Sequence, residues 1–77
     1  MTDVAAMAAP RLMRQKDVAH LTGLSRSAIY AKQAQGTFPR SVSVDVNSVR
    51  WVESEVVEWI AERIAARDDA FRQSRTG

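Results

Sequence analysis

The stretch DVAHLTGLSRSAIYAKQAQG, residues 17 to 36, carries eight apolar side chains in a helical run that breaks once, at Thr22-Gly23-Leu24-Ser25. Before the break, Val18, Ala19, Leu21 and Thr22 fall at i, i+1, i+3 and i+4, one apolar face of a short helix from Gln15 to Thr22. Gly23 supplies the positive-φ residue that commonly ends a helix. Leu24 follows as the apolar corner residue, and Ser25 is placed to cap a second helix by accepting a hydrogen bond from an unpaired backbone N–H of its first turn. That second helix is expected to reach about Gln35 and stop at Gly36. Ala28 and Ile29 face inward, leaving Ser27, Tyr30, Ala31 and Lys32 on the open sides.

A glycine break followed at once by a capped helix lets the two helices cross steeply, so that the second projects from a small core. This is the helix-turn-helix pattern, whose second helix is sized for the major groove of DNA. Ala19, four residues before the glycine, is small where the helices approach. The same turn also occurs in helical bundles that never meet DNA, so the rest of the chain has to decide.

Beyond Gly36, Thr37-Phe38-Pro39 reads as a turn with Phe38 plugging the base of the core. Ser41–Val44 and Ser48–Trp51 both alternate with period two around Asp45-Val46-Asn47, the signal of a short β-hairpin. A last helix starts near Glu53 and is expected to end near Arg67, with Val56, Trp59, Ile60 and Ile64 as its buried stripe. Upstream, Arg11–Arg14 reads as extended with Leu12 pointing into the core. The expected organisation is a flexible arm over 1–10, a single domain over 11–67 and a polar tail over 68–77. The fold class is mainly α: a small winged helix-turn-helix, made of two helices, a hairpin wing and a C-terminal helix.

A chain of 77 residues has room for only a small core. It contains no cysteine, so neither a disulfide framework nor a thiolate metal site is available. No apolar stretch approaches the roughly 18–20 residues that a membrane span requires, and the first nine residues lack the basic start of a signal peptide. A cytoplasmic protein away from membranes is expected. The net charge of +2 hides a segregation. Arg11, Arg14, Lys16, Arg26, Lys32 and Arg40 face only Asp17 across residues 11–40, whereas six acids face Arg63 and Arg67 across residues 51–70. The basic half would be drawn to a polyanion.

The chemistry of catalysis is missing. His20 is the single histidine and has no ligand partner in sequence. Glu53, Glu55, Glu58 and Glu62 sit at helical spacing as a solvated face, and there is no nucleophile–base pair or glycine-rich phosphate loop. Neither an enzyme nor a cofactor is expected.

Arg11-Leu12, then DVAHLTGLSRSAIY, then GTFPR, then VRWVESEVVEWIAERIAARD together resemble the AlpA family of prophage regulators, in the right order over residues 11–69. That family is related to excisionases and to the winged-helix domain of MerR-type regulators. The resemblance implies a winged helix-turn-helix that binds double-stranded DNA and controls transcription, or excision, of an integrated element. It implies that Ser25, Arg26, Ser27 and Tyr30 present groove-facing side chains. Arg26 would pair with guanine O6 and N7, and Tyr30 would donate its hydroxyl to a phosphate. Ser25 and Ser27 would hold a second phosphate at the helix N-terminus. Lys32, Arg40 and Arg50 complete the expected DNA-binding set. Implied partners are DNA, further copies of the chain on it, and an integrase or the transcription machinery.

This chain departs from the family pattern in two places. Ala31-Lys32-Gln33 displaces a basic residue by one position, and Lys32 then lies where its stem can run along the core edge. The hairpin lacks the usual lysine and Gly-Pro-Arg-like tip; Ser43 and Asp45-Val46-Asn47 stand there, so the wing is weakly basic and Asp45 opposes a nearby phosphate. A rival reading from another class is a protein-interaction adaptor that docks through the acidic last helix.

Overall fold

The computed structural model describes residues 9–76, so most of the expected N-terminal arm lies outside the described residues. Six elements follow in order: β1 (Leu12–Met13), α1 (Gln15–Thr22), α2 (Arg26–Ala34), β2 (Val42–Asp45), β3 (Ser48–Val52) and α3 (Glu53–Thr76).

The glycine break is built as the sequence requires. Gly23 adopts φ 77°, ψ 7°, and its N–H closes α1 on the Ala19 carbonyl at 2.8 Å. Thr22 reinforces the corner from both sides: its hydroxyl donates to the Val18 carbonyl at 2.8 Å and accepts from the Leu24 N–H at 3.2 Å. A Cβ at Gly23 would meet nothing within 4 Å, so what demands glycine here is backbone conformation and not space. α2 starts at once after Ser25 and ends at Ala34 with Gln35 as its C-cap, and Gly36 turns the chain at φ 79°.

Five residues make the buried core: Val18 from α1, Ile29 from α2, Phe38 from the turn, Trp51 from β3 and Val56 from α3. The three helices, the central strand and the turn thus contribute one side chain each, and fully burying a residue of this kind stabilises by about 1.5–3 kcal/mol. Met13, Ala19, Leu24, Tyr30, Val49, Trp59 and Ile60 pack around them, half-buried. Phe38 meets the Trp59 ring edge-on at 4.8 Å, and the Trp59 indole N–H donates to the Thr37 carbonyl at 2.7 Å, which fixes the turn against α3.

The hairpin has a tighter tip than its sequence suggests. Asp45 belongs to β2, the turn is Val46-Asn47 alone, and Val44 is an extra residue bulging between the Ser43↔Val49 and Asp45↔Ser48 pairs. The hairpin also gains a third strand: β1 pairs antiparallel with β3, giving the order β1-β3-β2. Alternation along β1 turns Met13 onto the core and leaves Leu12 48% exposed, the reverse of the inward Leu12 expected from the sequence. Two other expectations fail in the same direction. Leu21 and Ile64 are both about half exposed at 47%, because the body covers only the first turns of α3 and a narrow strip of α1. α3 also continues past Arg67 to Thr76, since its polar residues include neither glycine nor proline to stop it. No described helix is long and apolar enough to cross a membrane. Two helices joined by a glycine turn, a hairpin wing and a closing helix make a small winged helix-turn-helix.

Candidate nucleic-acid interface

The surface begins at Ser25. Its extended backbone (φ −72°, ψ 163°) lets Oγ turn back and accept from the Ala28 N–H at 3.1 Å, capping α2. Ser25, Arg26 and Ser27 are all exposed on this first turn, which carries no acidic residue. Unpaired N–H groups, the positive end of the helix dipole and the Arg26 guanidinium therefore face solvent together. That is the electrostatic arrangement that attracts a phosphate.

Behind the first turn stands an aromatic support. Arg26 places its guanidinium carbon 5.7 Å from the centroid of the Tyr30 ring, within the range of a cation–π contact. Tyr30 in turn meets the fully buried Trp51 edge-on. Tyr30 is therefore half-buried, a supporting ring beneath Arg26 more than the open-side residue expected from its helical position. Trp51 is itself tied in place: its indole N–H is shared between the Gln33 Oε1 and the Pro39 carbonyl, both at 3.2 Å.

The remaining cations have different settings. Lys32 is half-buried near the end of α2, and its carbonyl accepts from both the N–H and the hydroxyl of Thr37, at 2.9 and 3.1 Å. Arg40 is exposed immediately before the hairpin and lines one open cleft, about 520 Å³, with Tyr30, Gln33 and Gly36. The fold thus joins Tyr30 and Arg40 across ten positions of sequence. Arg50 is not part of that cleft; half-buried on β3, it donates from Nη1 to the Val49 carbonyl at 2.8 Å. Arg11 lies 3.6 Å from Glu53, so one cation of the basic segment is partly compensated by α3. Glu55, Glu58 and Glu62 gather around another cleft beside Phe38 and Trp59. At the wing tip the Asp45 carboxylate accepts from the Val46 N–H at 2.7 Å.

One residue of this surface escapes sequence reasoning. Gln33 reads as a polar helix residue, yet its amide oxygen accepts both the Trp51 indole and the Ser41 N–H, the latter at 3.0 Å. The only signal available was a polar residue four positions after the buried Ile29, on the helix face turned toward the sheet.

Comparison with known proteins agrees with this architecture. The family described as prophage CP4-57 regulatory protein (AlpA) matches residues 11–64. The chain is 49% identical over 61 residues to "Uncharacterized protein ORF88" of Enterobacteria phage P4, covering 79% of this chain and 69% of that protein. It is 34% identical over 61 residues to "DNA-binding transcriptional activator AlpA" of Escherichia coli (strain K12), covering 71% of this chain and 87% of that one. The matched span runs from the first residue before β1 into the middle of α3 and takes in every element of the winged helix-turn-helix. This chain belongs to the AlpA family of prophage regulatory proteins.

Proposed function

We propose that this chain is a sequence-specific double-stranded DNA-binding protein that regulates transcription from a prophage or related mobile element, with α2 as its recognition helix. The observation that carries the reading is the first turn of α2. Ser25, Arg26 and Ser27 are exposed at a capped helix N-terminus, and Arg26 rests on a tyrosine backed by the core tryptophan. The coli relative's description as a DNA-binding transcriptional activator supports the same reading.

Arg26 is assigned to a guanine edge, where a bidentate pair discriminates by roughly 1–3 kcal/mol. Ser25, Ser27 and the Tyr30 hydroxyl are assigned to phosphates, as are Lys32, Arg40 and Arg50. The weakly basic wing makes Arg40 its chief cation, because the guanidinium of Arg50 is bonded to its own strand. A single recognition helix reads few base pairs, so two or more copies on one operator are expected.

The test is a gel shift on the DNA upstream of the chain's own coding region across a salt series. Four to six phosphates neutralised per copy by the lysines and arginines of the basic segment 11–40 correspond to a log–log slope of roughly −3.6 to −5.4. Binding that ignores salt, or no shift at all with a protein partner retained through residues 53–67, would favour the adaptor reading instead. Footprints confined to recombination sites would assign the protein to excision.

A further inference from the structure

Gln33 occupies the last turn of α2, on the helix that the proposed function assigns to the major groove. Its side-chain oxygen accepts two hydrogen bonds from the hairpin: the Ser41 N–H at 3.0 Å, just before β2, and the Trp51 indole N–H at 3.2 Å, within β3. The same indole N–H also reaches the Pro39 carbonyl at 3.2 Å. Pro39 and Ser41 are the two neighbours of Arg40. The backbone on both sides of that exposed arginine is therefore fastened, through one oxygen and one indole, to the recognition helix.

Turn chemistry alone does not hold this segment. Residues 39–41 lie between the Gly36 turn and β2 and have no regular secondary structure. Arg40 itself is exposed and extends from the stretch that joins helix to wing. Without a tie, the angle between α2 and the start of the hairpin would rest on packing around Phe38 and Trp51. The tie bears on two places at once, because the Ser41 N–H and the Trp51 indole N–H converge on the same Gln33 oxygen.

We propose that Gln33 is a positioning residue: it holds Arg40 at a fixed place relative to the recognition helix, so that helix and wing cation meet a duplex as one rigid unit. Its action on DNA rests on the DNA-binding reading above, whereas its action on the Arg40 segment does not. An ordered cation meets a phosphate without first losing freedom, which is how preorganisation raises affinity.

The positioning is tested on the full chain without DNA, by residual dipolar couplings of the Arg40 and Ser41 amides measured against those of α2. Gln33→Leu keeps the size of the side chain and removes the acceptor; it should shrink the two couplings while those of α2 hold. Gln33→Glu retains an acceptor oxygen and should keep them at wild-type values. Gln33→Met, unbranched like glutamine, replaces the leucine variant should that one fail to fold. Unchanged couplings in a folded variant lacking the acceptor overturn the proposal, whatever the protein does with DNA.

On duplex DNA, Arg40→Ala in the wild-type background should weaken binding about three- to tenfold and flatten the salt slope by about 0.9. In the Gln33→Leu background the same change should cost less than about twofold, the non-additivity expected of coupled residues. Equal losses in the two backgrounds overturn the link to binding. A wild-type chain that does not bind duplex DNA strikes the functional reading itself, and the dipolar couplings separate that result from a failure of the tie.

Discussion

The rings of Tyr30 and Trp51 meet edge to face, 5.8 Å between centroids and 69° between planes. Through this contact the one aromatic residue of α2 is seated on the most buried aromatic residue of the core. The ring and the hydroxyl of Tyr30 thus have separable tasks. Tyr30→Phe should leave the melting temperature within a few degrees of wild type and weaken DNA binding by the share of one phosphate contact. Tyr30→Ala should destabilise the fold by about 2 kcal/mol, less than a fully buried aromatic truncation, and also free the Arg26 guanidinium. Thermal melts beside gel shifts read the two effects apart; equal binding losses for both variants would assign the whole role to the hydroxyl.

Arg26 is exposed and touches only the Tyr30 ring among the contacts described above, so its removal should spare the fold. Arg26→Ala is expected to keep wild-type helicity and to lose roughly 1–3 kcal/mol of affinity for the preferred site, with relaxed discrimination at one base position. Arg26→Lys should not restore that discrimination, because an ammonium lacks the two-pronged donor geometry. Footprinting on wild-type and single-base-altered sites checks both statements.

Gly23 sits in the left-handed region with open space where a Cβ would stand. Gly23→Ala should therefore cost only the backbone term, about 1–2 kcal/mol. For a domain of this size each kcal/mol is roughly 4–8 °C in Tm. A calorimetric scan showing no loss would mean that the corner relaxes to another conformation.

Val56 and Ile64 lie eight positions apart on α3 and are treated differently by the fold, one at 0% exposure and the other at 47%. Val56→Ala should destabilise by about 2 kcal/mol through lost burial and a residual cavity. Ile64→Ala should stay within about 0.5–1 kcal/mol, since much of its side chain already contacts water. Urea titrations of the two variants measure the contrast directly.

The parts of the fold that sequence reveals are those set by neighbours along the chain. Gly23 and Ser25 announce the end of one helix and the start of the next, and period-two alternation announces the hairpin. What depends on distant partners is less visible. The pairing of β1 with β3 joins residues about forty positions apart, and only that register decides that Met13 and not Leu12 turns inward. A shift of one residue exchanges the faces of a strand. The end of α3 is hidden for a different reason. Asp68 and Asp69 resemble a solvated tail, but charge does not terminate a helix that lacks a breaker. In the candidate interface, Ser25, Arg26 and Ser27 were legible as the exposed start of a capped helix. Gln33 was not, because its importance arises from Ser41 and Trp51 converging on one oxygen.

Small sheets carry a hazard in their outermost strands, which offer unpaired backbone groups to any other chain. Here β1 is only two residues long, and β2 is interrupted by the extra Val44 two residues after its start. The kink spoils the straight row of donors and acceptors that strand addition requires. The outer edge of β2 therefore offers a poor template for intermolecular pairing, although Val42 and Val44 are exposed on it.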